Sequence, residues 1–139
     1  MSQHLYLLDS SILVVAERKN PPQALLDRIS PLIRARTAAV NEIVTLEVLV
    51  GYRTQEQLST ARSRLRTLIQ LPITVATWDQ AADLGFALRR SGVVVNLPDL
   101  IIAASAIEHD AVLLHADSDF DLIAQNSQLR VESYAGAAT

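Results

Sequence analysis

Apolar residues follow two different spacings along the chain, and the two spacings alternate. Short apolar runs predict strands at residues 5–8, 37–41, 71–76, 111–114 and 130–134. Between them, apolar residues recur every three or four positions, which predicts helices at residues 12–18, 23–36, 42–53, 54–70, 78–90 and 99–109. Pro31 is expected to kink or split the second helix. Strands that alternate with helices indicate an α/β fold with a central parallel sheet flanked by helices.

The last of these helices is apolar on almost every side, which predicts that it is buried. It begins at Asp99, and a short inner strand follows it directly. Three more acids, Asp117, Asp119 and Asp121, come immediately after that strand. Buried elements that begin or end in carboxylates require an explanation.

The acids next to strands have two readings. Asp9 follows the first predicted strand and Asp117 follows the fourth, and parallel sheets bind ligands at the carboxyl ends of their strands. Each could equally be a helix N-cap, because a short carboxylate accepts hydrogen bonds from the first free amides of a helix. Asp99 has the same alternative, three residues after a possible cap at Asn96. Capping and site chemistry remain open for each acid taken singly.

Glu47 has no such structural alternative. It shares the apolar face of its predicted helix with Ile43 and Val50, and no Lys or Arg lies within one turn before it. A carboxylate in apolar surroundings requires a partner. We therefore expect Glu47 to join the acids at the sheet edge.

Four converging carboxylates would favour a bound cation. Mutual repulsion among Asp9, Glu47, Asp99 and Asp117 would raise their pKa values unless a positive charge neutralises them. Oxygen ligands without cysteine select hard ions, which predicts Mg²⁺ or Mn²⁺. Asp119 is a candidate fifth acid, and we assign Asp121 to the helix surface.

Several polar residues near these acids are candidates for binding substrate. Ser10, Ser11 and Thr45 have no paired base in the sequence, so we expect them to cap or orient rather than to act as nucleophiles. His115 lies two residues before the acid that follows the fourth strand and could orient that acid or touch substrate. A packed histidine is the structural alternative. Arg53 is a further candidate for substrate contact.

Composition narrows the classes of function. Cysteine is absent from the 139 residues, which excludes disulfide frameworks, thiol catalysis and cysteine-ligated metal sites. No amino-terminal leader and no apolar run of membrane-spanning length is present, so we expect a soluble cytoplasmic protein without a membrane partner. The length predicts one domain at residues 1–135 with a disordered tail at residues 136–139.

The charge distribution permits a nucleic-acid substrate. A net charge of −3 argues against a protein that coats nucleic acid by charge alone, but arginines concentrate between residues 53 and 66. Arg53, Arg62, Arg64 and Arg66 could steer phosphates toward a separate acidic pocket. Solvated helix surface is the alternative for all four.

Four separated motifs resemble those of the PIN-domain ribonucleases, and more narrowly those of the VapC toxins of bacterial toxin–antitoxin pairs. The motifs are Leu7-Leu-Asp9-Ser-Ser-Ile-Leu13, Thr45-Leu-Glu47, Pro98-Asp99-Leu-Ile-Ile-Ala-Ala104 and Leu114-His-Ala-Asp117-Ser-Asp119-Phe120. The resemblance implies a PIN-like fold and metal-dependent cleavage of cellular RNA such as transfer or ribosomal RNA. It also implies a homodimer and inhibition by a VapB-like antitoxin.

By motif, the resemblance assigns Asp9, Glu47, Asp99 and Asp117 to catalysis, with Asp9, Asp99 and Asp117 as metal ligands and Asp119 as a candidate further ligand. His115 departs from the pattern, because many PIN domains have Thr or Ser there. The role of this position is therefore open, while the acid set is complete.

Three other classes of protein are alternatives, and one of them, the haloacid-dehalogenase-like phosphatases, also places an aspartate after its first strand. A haloacid-dehalogenase-like phosphatase would need a second Asp where this chain has Ser11, and a lysine on the far side, yet Lys19 is the only lysine. A receiver-like signalling domain needs the same missing lysine partner. A non-catalytic PIN-like interaction module would have a broken acid set.

Overall fold

The computed structural model describes residues 4–138 and contains five strands and seven α-helices in that range. In chain order they are β1 (Tyr6–Leu8), α1 (Ser10–Ala16), α2 (Gln23–Arg34), β2 (Ala38–Val40), α3 (Glu42–Leu49), α4 (Gln55–Arg66), β3 (Ile69–Gln70), α5 (Val75–Arg90), α6 (Leu97–Glu108), β4 (Val112–His115), α7 (Ser118–Gln125) and β5 (Arg130–Ser133), with a 3₁₀ turn at Ala135–Ala138.

The strands form one parallel sheet in the order β3-β2-β1-β4-β5, which confirms the α/β fold expected from the sequence. The strand order reverses between β1 and β4, whose residues pair from Tyr6 with Val112 to Leu8 with Leu114. Ligands bind such sheets outside the carboxyl ends of the strands at this reversal. The residues that follow β1 and β4 therefore occupy the position where a site is expected.

Successive strand residues point to opposite faces of the sheet, and each face carries its own apolar cluster. Leu7 belongs to the cluster with α3, α5, α6 and α7, whereas the next residue, Leu8, belongs to the cluster with α1 and α2. In β4, Leu113 and Leu114 divide in the same way. Burial on both faces explains why the strands are continuous apolar runs rather than alternating ones.

Helix α6 is buried along most of its length, as its composition predicts. Eight consecutive residues from Asp99 to Ala106 are buried, and α6 makes extensive contact with α5. Asn96 caps it by accepting the Asp99 amide at 2.9 Å. The helix therefore carries Asp99 on a rigid support.

The predicted third strand at residues 71–76 is wrong. The strand is Ile69–Gln70, and Val75 already begins α5. Pairing with β2 ends after Leu71 donates its amide to the Val40 carbonyl at 2.9 Å, because the next residue, Pro72, has no amide to extend the ladder. A Thr74 cap then starts the helix earlier than the sequence indicated.

Three helix predictions also need correction. Helices α2, α3 and α4 end at Arg34, Leu49 and Arg66, before the bounds expected from the apolar spacing. Helix α2 continues through Pro31 as one element, because the buried face around Ile29 and Leu32 compensates for a single missing hydrogen bond.

The predicted tail at residues 136–139 remains a prediction. Ala135–Ala138 form a 3₁₀ turn, and Thr139 lies outside the described residues, as do residues 1–3 at the amino end. Within residues 4–138, none of the helices is long and apolar enough to cross a membrane.

Candidate active site

Two neighbouring strands and one buried helix bring acids to the same edge of the sheet. Asp9 directly follows β1, and its amide donates to the Leu114 carbonyl of β4 at 3.0 Å. Asp117 follows the end of β4 by two residues, and Asp99 lies in the first turn of α6. Carboxylate oxygens of Asp99, Asp117 and Asp119 all lie within 4.8 Å of one another. The structure thus brings together acids that the sequence places up to 20 residues apart.

Asp9 and Asp117 can each cap a helix and still bind a ligand, because a cap uses only one of the two carboxylate oxygens. Asp9 caps α1 with Oδ2, which accepts the Ser11 amide at 3.0 Å, and its buried Oδ1 has no hydrogen-bond partner. Asp117 caps α7 with Oδ1, which accepts the Asp119 amide at 3.0 Å. Asp99 likewise has a buried oxygen, Oδ2, with no partner.

The unpartnered oxygens fit a divalent cation. A buried carboxylate oxygen without a partner is costly, and a hard cation would satisfy it. Asp9 and Asp99 each contribute one such oxygen, and Asp119 adds an exposed carboxylate beside Asp117. The donor set consists of oxygen atoms, as Mg²⁺ or Mn²⁺ prefers.

Glu47 lies outside the group of three acids but feels the charges of Asp9 and Asp117. Its helix face is open rather than buried, since Val50 is 72% exposed and Glu47 itself is exposed. The expectation of an acid in apolar surroundings was therefore wrong, because α3 turns this side toward solvent. Its Oε1 accepts a hydrogen bond from Ser10 Oγ at 3.1 Å, which holds the carboxylate at the rim.

The four acids share one electrostatic environment. Burial, as the largest cause, and the charges of Asp117, Asp9 and Glu47 in that order together raise the pKa of Asp99 to about 7. Desolvation also raises the pKa of Asp9 and that of Glu47, and Asp9 and Asp117 add repulsion at Glu47. Mutual repulsion of this kind is what a bound cation relieves.

Ser11 connects the two strands of the site. Its hydroxyl donates to Asp9 Oδ2, and its oxygen accepts the Ala116 amide at 2.9 Å across 105 residues of sequence. The expectation that this serine orients rather than attacks agrees with the contacts. It fixes Asp9 relative to the segment that leads into Asp117.

His115 and Asp121 form a contact behind the acids. His115 is 0% exposed, and its Nε2 lies 3.1 Å from Asp121 Oδ1. Asp121 was expected at the helix surface, but it is only partly exposed and also accepts a hydrogen bond from Ser133 Oγ at 2.9 Å. Sequence spacing gave no signal for this contact, because it joins α7 to the ends of β4 and β5. Burial lowers the pKa of His115, which favours the neutral imidazole, while Asp121 opposes that shift.

The remaining substrate candidates lie in different surroundings. Thr45 has a buried hydroxyl without a partner in α3. Arg53 is exposed in the loop after α3, and Arg62 and Arg66 are exposed on α4. Arg64 lines a pocket of about 490 Å³ together with Glu17 and other residues of α1 and α4.

Comparisons with known proteins match the chain in sequence and in fold. The PIN-domain family model matches residues 6–126. Ribonuclease VapC21 of Mycobacterium tuberculosis is 36% identical over 132 residues, covering 91% of this chain and 91% of that protein. The crystal structure of VapBC2 from Rickettsia felis, bound to a promoter DNA fragment, matches the fold with a TM-score of 0.79 at 24% identity, over 94% of this chain and 98% of that one. A toxin–antitoxin complex from Klebsiella pneumoniae matches with a TM-score of 0.63 at 28% identity, over 83% and 89%.

Proposed function

Because the chain belongs to the PIN-domain family, and within it to the VapC ribonucleases, we propose that it is a Mg²⁺- or Mn²⁺-dependent endoribonuclease toxin of a toxin–antitoxin pair. The observation that carries this proposal is the group of three carboxylates within 4.8 Å at the strand-order reversal. Its chemistry is hydrolysis of a phosphodiester bond in cellular RNA, in the cytoplasm where transfer and ribosomal RNA are found.

The acids divide into a metal-binding group and a rim acid. Asp99, Asp117 and Asp119 would hold the ion, with the free Oδ1 of Asp9 as a further ligand. When bound, the ion would lower the pKa of a water molecule and offset charge that develops on the phosphate. Glu47 would orient the attacking water or accept its proton, since Ser10 holds one of its carboxylate oxygens in place.

The RNA would approach across a surface whose basic residues are separate from the acid cluster. The exposed guanidinium groups of Arg53, Arg62 and Arg66 can attract phosphates while the acids are neutralised by metal. Arg64 lines the pocket beside α1, so we propose that it binds the partner protein rather than RNA. Contacts between these exposed arginines and RNA phosphates should weaken as the salt concentration rises.

The alternative functions are not favoured. A haloacid-dehalogenase-like phosphatase would have its second aspartate at the position of Ser11. Here the Ser11 hydroxyl donates to Asp9 and accepts the Ala116 amide. A non-catalytic interaction module has no need of the acid cluster, yet Asp9 and Asp99 keep buried oxygens that a bound cation would satisfy.

Removal of the metal tests the proposed activity. Purified protein treated with EDTA should lose RNA cleavage, and excess Mg²⁺ or Mn²⁺ should restore it. A gel of fluorescent RNA would measure the rate, with Asp79→Asn on the exposed side of α5 as a control variant of unchanged activity. Cleavage that survives complete chelation would contradict the proposal.

A small antitoxin is the proposed partner, because the Klebsiella relative is a toxin–antitoxin complex. An apolar groove of about 280 Å³ runs between α2 and α4, and Leu13, Ile33, Val48, Ala61, Leu65 and Leu68 line it. The neighbouring pocket shares Glu17, Ala61 and Arg64 with this groove. A flexible tail could bury apolar side chains along both and order on binding.

A charge placed in the groove should weaken antitoxin binding without unfolding the protein. Ile33→Asp places a charge at a partly exposed groove position, so the fold should persist while antitoxin affinity falls by about tenfold or more. Titration calorimetry with the cognate antitoxin would measure this, with Val75→Asp on α5 as the matched exposed control. Unchanged affinity in Ile33→Asp would place the antitoxin elsewhere.

Two related expectations remain predictions. An arginine of the antitoxin tail could neutralise the acid cluster and displace metal, so antitoxin binding should compete with Mn²⁺. The homodimer implied by the family would be tested by light scattering of the free toxin.

A further inference from the structure

The segment that carries Asp117 is held by two consecutive backbone amides. The Ala116 amide donates to Ser11 Oγ at 2.9 Å, and the Asp117 amide donates to His115 Nδ1 at 3.1 Å. These two bonds determine the path of the chain between the end of β4 and the first turn of α7. The direction in which the Asp117 carboxylate leaves the backbone depends on them.

The hydrogen bonds define the state of the His115 ring. A backbone amide can only donate, so Nδ1 must accept and therefore carries no proton. The proton is then on Nε2, which donates to Asp121 Oδ1 at 3.1 Å. Asp121 is itself fixed by Ser133 Oγ, which donates to its other oxygen at 2.9 Å.

The same contacts prevent the His115 ring from binding RNA. Both nitrogens have a protein partner, the side chain is fully buried, and the ring packs against Phe120 with centroids 5.3 Å apart. A base or a phosphate-binding group needs a free nitrogen within reach of substrate. Direct contact with substrate, one of the two roles that the sequence left open, is not available in this arrangement.

We infer that His115 is a positioning residue for Asp117. Its buried imidazole, oriented by Asp121, accepts the Asp117 amide and so fixes where that carboxylate lies beside Asp99 and Asp119. The inference rests on the proposed function, because it assigns His115 an effect on the metal-binding acids. Groups behind metal ligands commonly change metal affinity or activity by about 10–100-fold when they are replaced.

Two isosteric variants separate this role from simple packing. His115→Asn places a carboxamide oxygen near the position of Nδ1, so it keeps an acceptor for the Asp117 amide and loses Asp121. His115→Gln places its amide near Nε2, so it keeps Asp121 and loses the acceptor. If His115 only fills space, both variants should differ from wild type in melting temperature alone.

If His115 positions Asp117, the two variants should differ in Mn²⁺ affinity and in kcat. We expect His115→Gln to lower Mn²⁺ affinity and kcat by about 10–100-fold with KM for RNA nearly unchanged, and His115→Asn to stay within about fivefold of wild type. Electron paramagnetic resonance of Mn²⁺ with RNA-free protein would give the affinity. Asp121→Ala, at a partly exposed and therefore tolerant position, should fall between them, and Asp79→Ala should match wild type.

Each other outcome overturns the inference. Equal Mn²⁺ affinity in wild type and His115→Gln, or equal losses in His115→Gln and His115→Asn, would show a packing role. A loss confined to KM would place His115 against substrate. Wild-type protein that neither binds Mn²⁺ nor cuts RNA would overturn the proposed function as well, whereas an active wild type with an unaffected His115→Gln would overturn this inference alone.

Discussion

Asp99→Asn is expected to lower RNA cleavage by at least about a hundredfold, because residues of a catalytic unit act together and the loss of one removes most of the effect. The substitution keeps the shape of the side chain and the amide contact to Asn96 but removes a charge from the acid cluster. Mn²⁺ affinity should fall with the rate. Cleavage of a defined RNA under single-turnover conditions would measure the change.

The same substitution should stabilise the metal-free protein. Burial and neighbouring acids raise the pKa of Asp99 to about 7, above that of an ordinary aspartate, so the folded state binds this proton more tightly than the unfolded state does. The stability that the group contributes is therefore present at low pH and is lost as pH rises through about 7. Asn carries no charge, so at pH 8 the melting temperature should rise by about 3–6 °C, and by less at pH 5.

Thermal melts in EDTA at the two pH values would test this, with Asp79→Asn as the control for loss of an exposed charge. Mn²⁺ should stabilise wild type and remove the advantage of Asp99→Asn. Full activity in Asp99→Asn would exclude this acid from the metal site. A lower melting temperature at pH 8 would show that burial and repulsion do not destabilise the charged Asp99 carboxylate in the apo protein.

Phe120→Ala should cost about 3–5 kcal/mol of unfolding free energy, which is a large share of the stability of an ordinary domain. Phe120 lies between two acids in the sequence but is fully buried, and its ring packs against His115. The loss would leave a cavity beneath the segment that carries Asp117. Activity should fall together with the folded fraction.

Urea unfolding at 25 °C would measure the cost. Leu122→Ala, on the same helix but 41% exposed, is the matched control and should lose less than about 1 kcal/mol. Equal losses in the two variants would mean that α7 packs through a different face than the structure shows.

The sequence by itself determined the class of fold and the acid set. Continuous apolar runs separated by helical spacing predicted a parallel sheet, and acids directly after β1 and β4 predicted a site at its carboxyl edge. The fold prediction is confirmed because it depends on periodicity, and the structure places these acids at the carboxyl edge of the sheet because they adjoin the strands in the chain. The third strand was predicted wrongly, since a two-residue strand leaves almost no periodic signal and a Thr74 cap outweighed the β-branched Val75 that follows it.

Only the tertiary structure decided how the acids are supported. Ser11 meets Ala116 across 105 residues, Glu47 meets Ser10 across 37, and His115 meets Asp121 through the junction of two strands and a helix. Spacing along a chain indicates which side chains share an element, but not which side of that element faces solvent. It also does not show which oxygen of a carboxylate serves as a cap and which stays free for a metal, because packing between distant elements sets both.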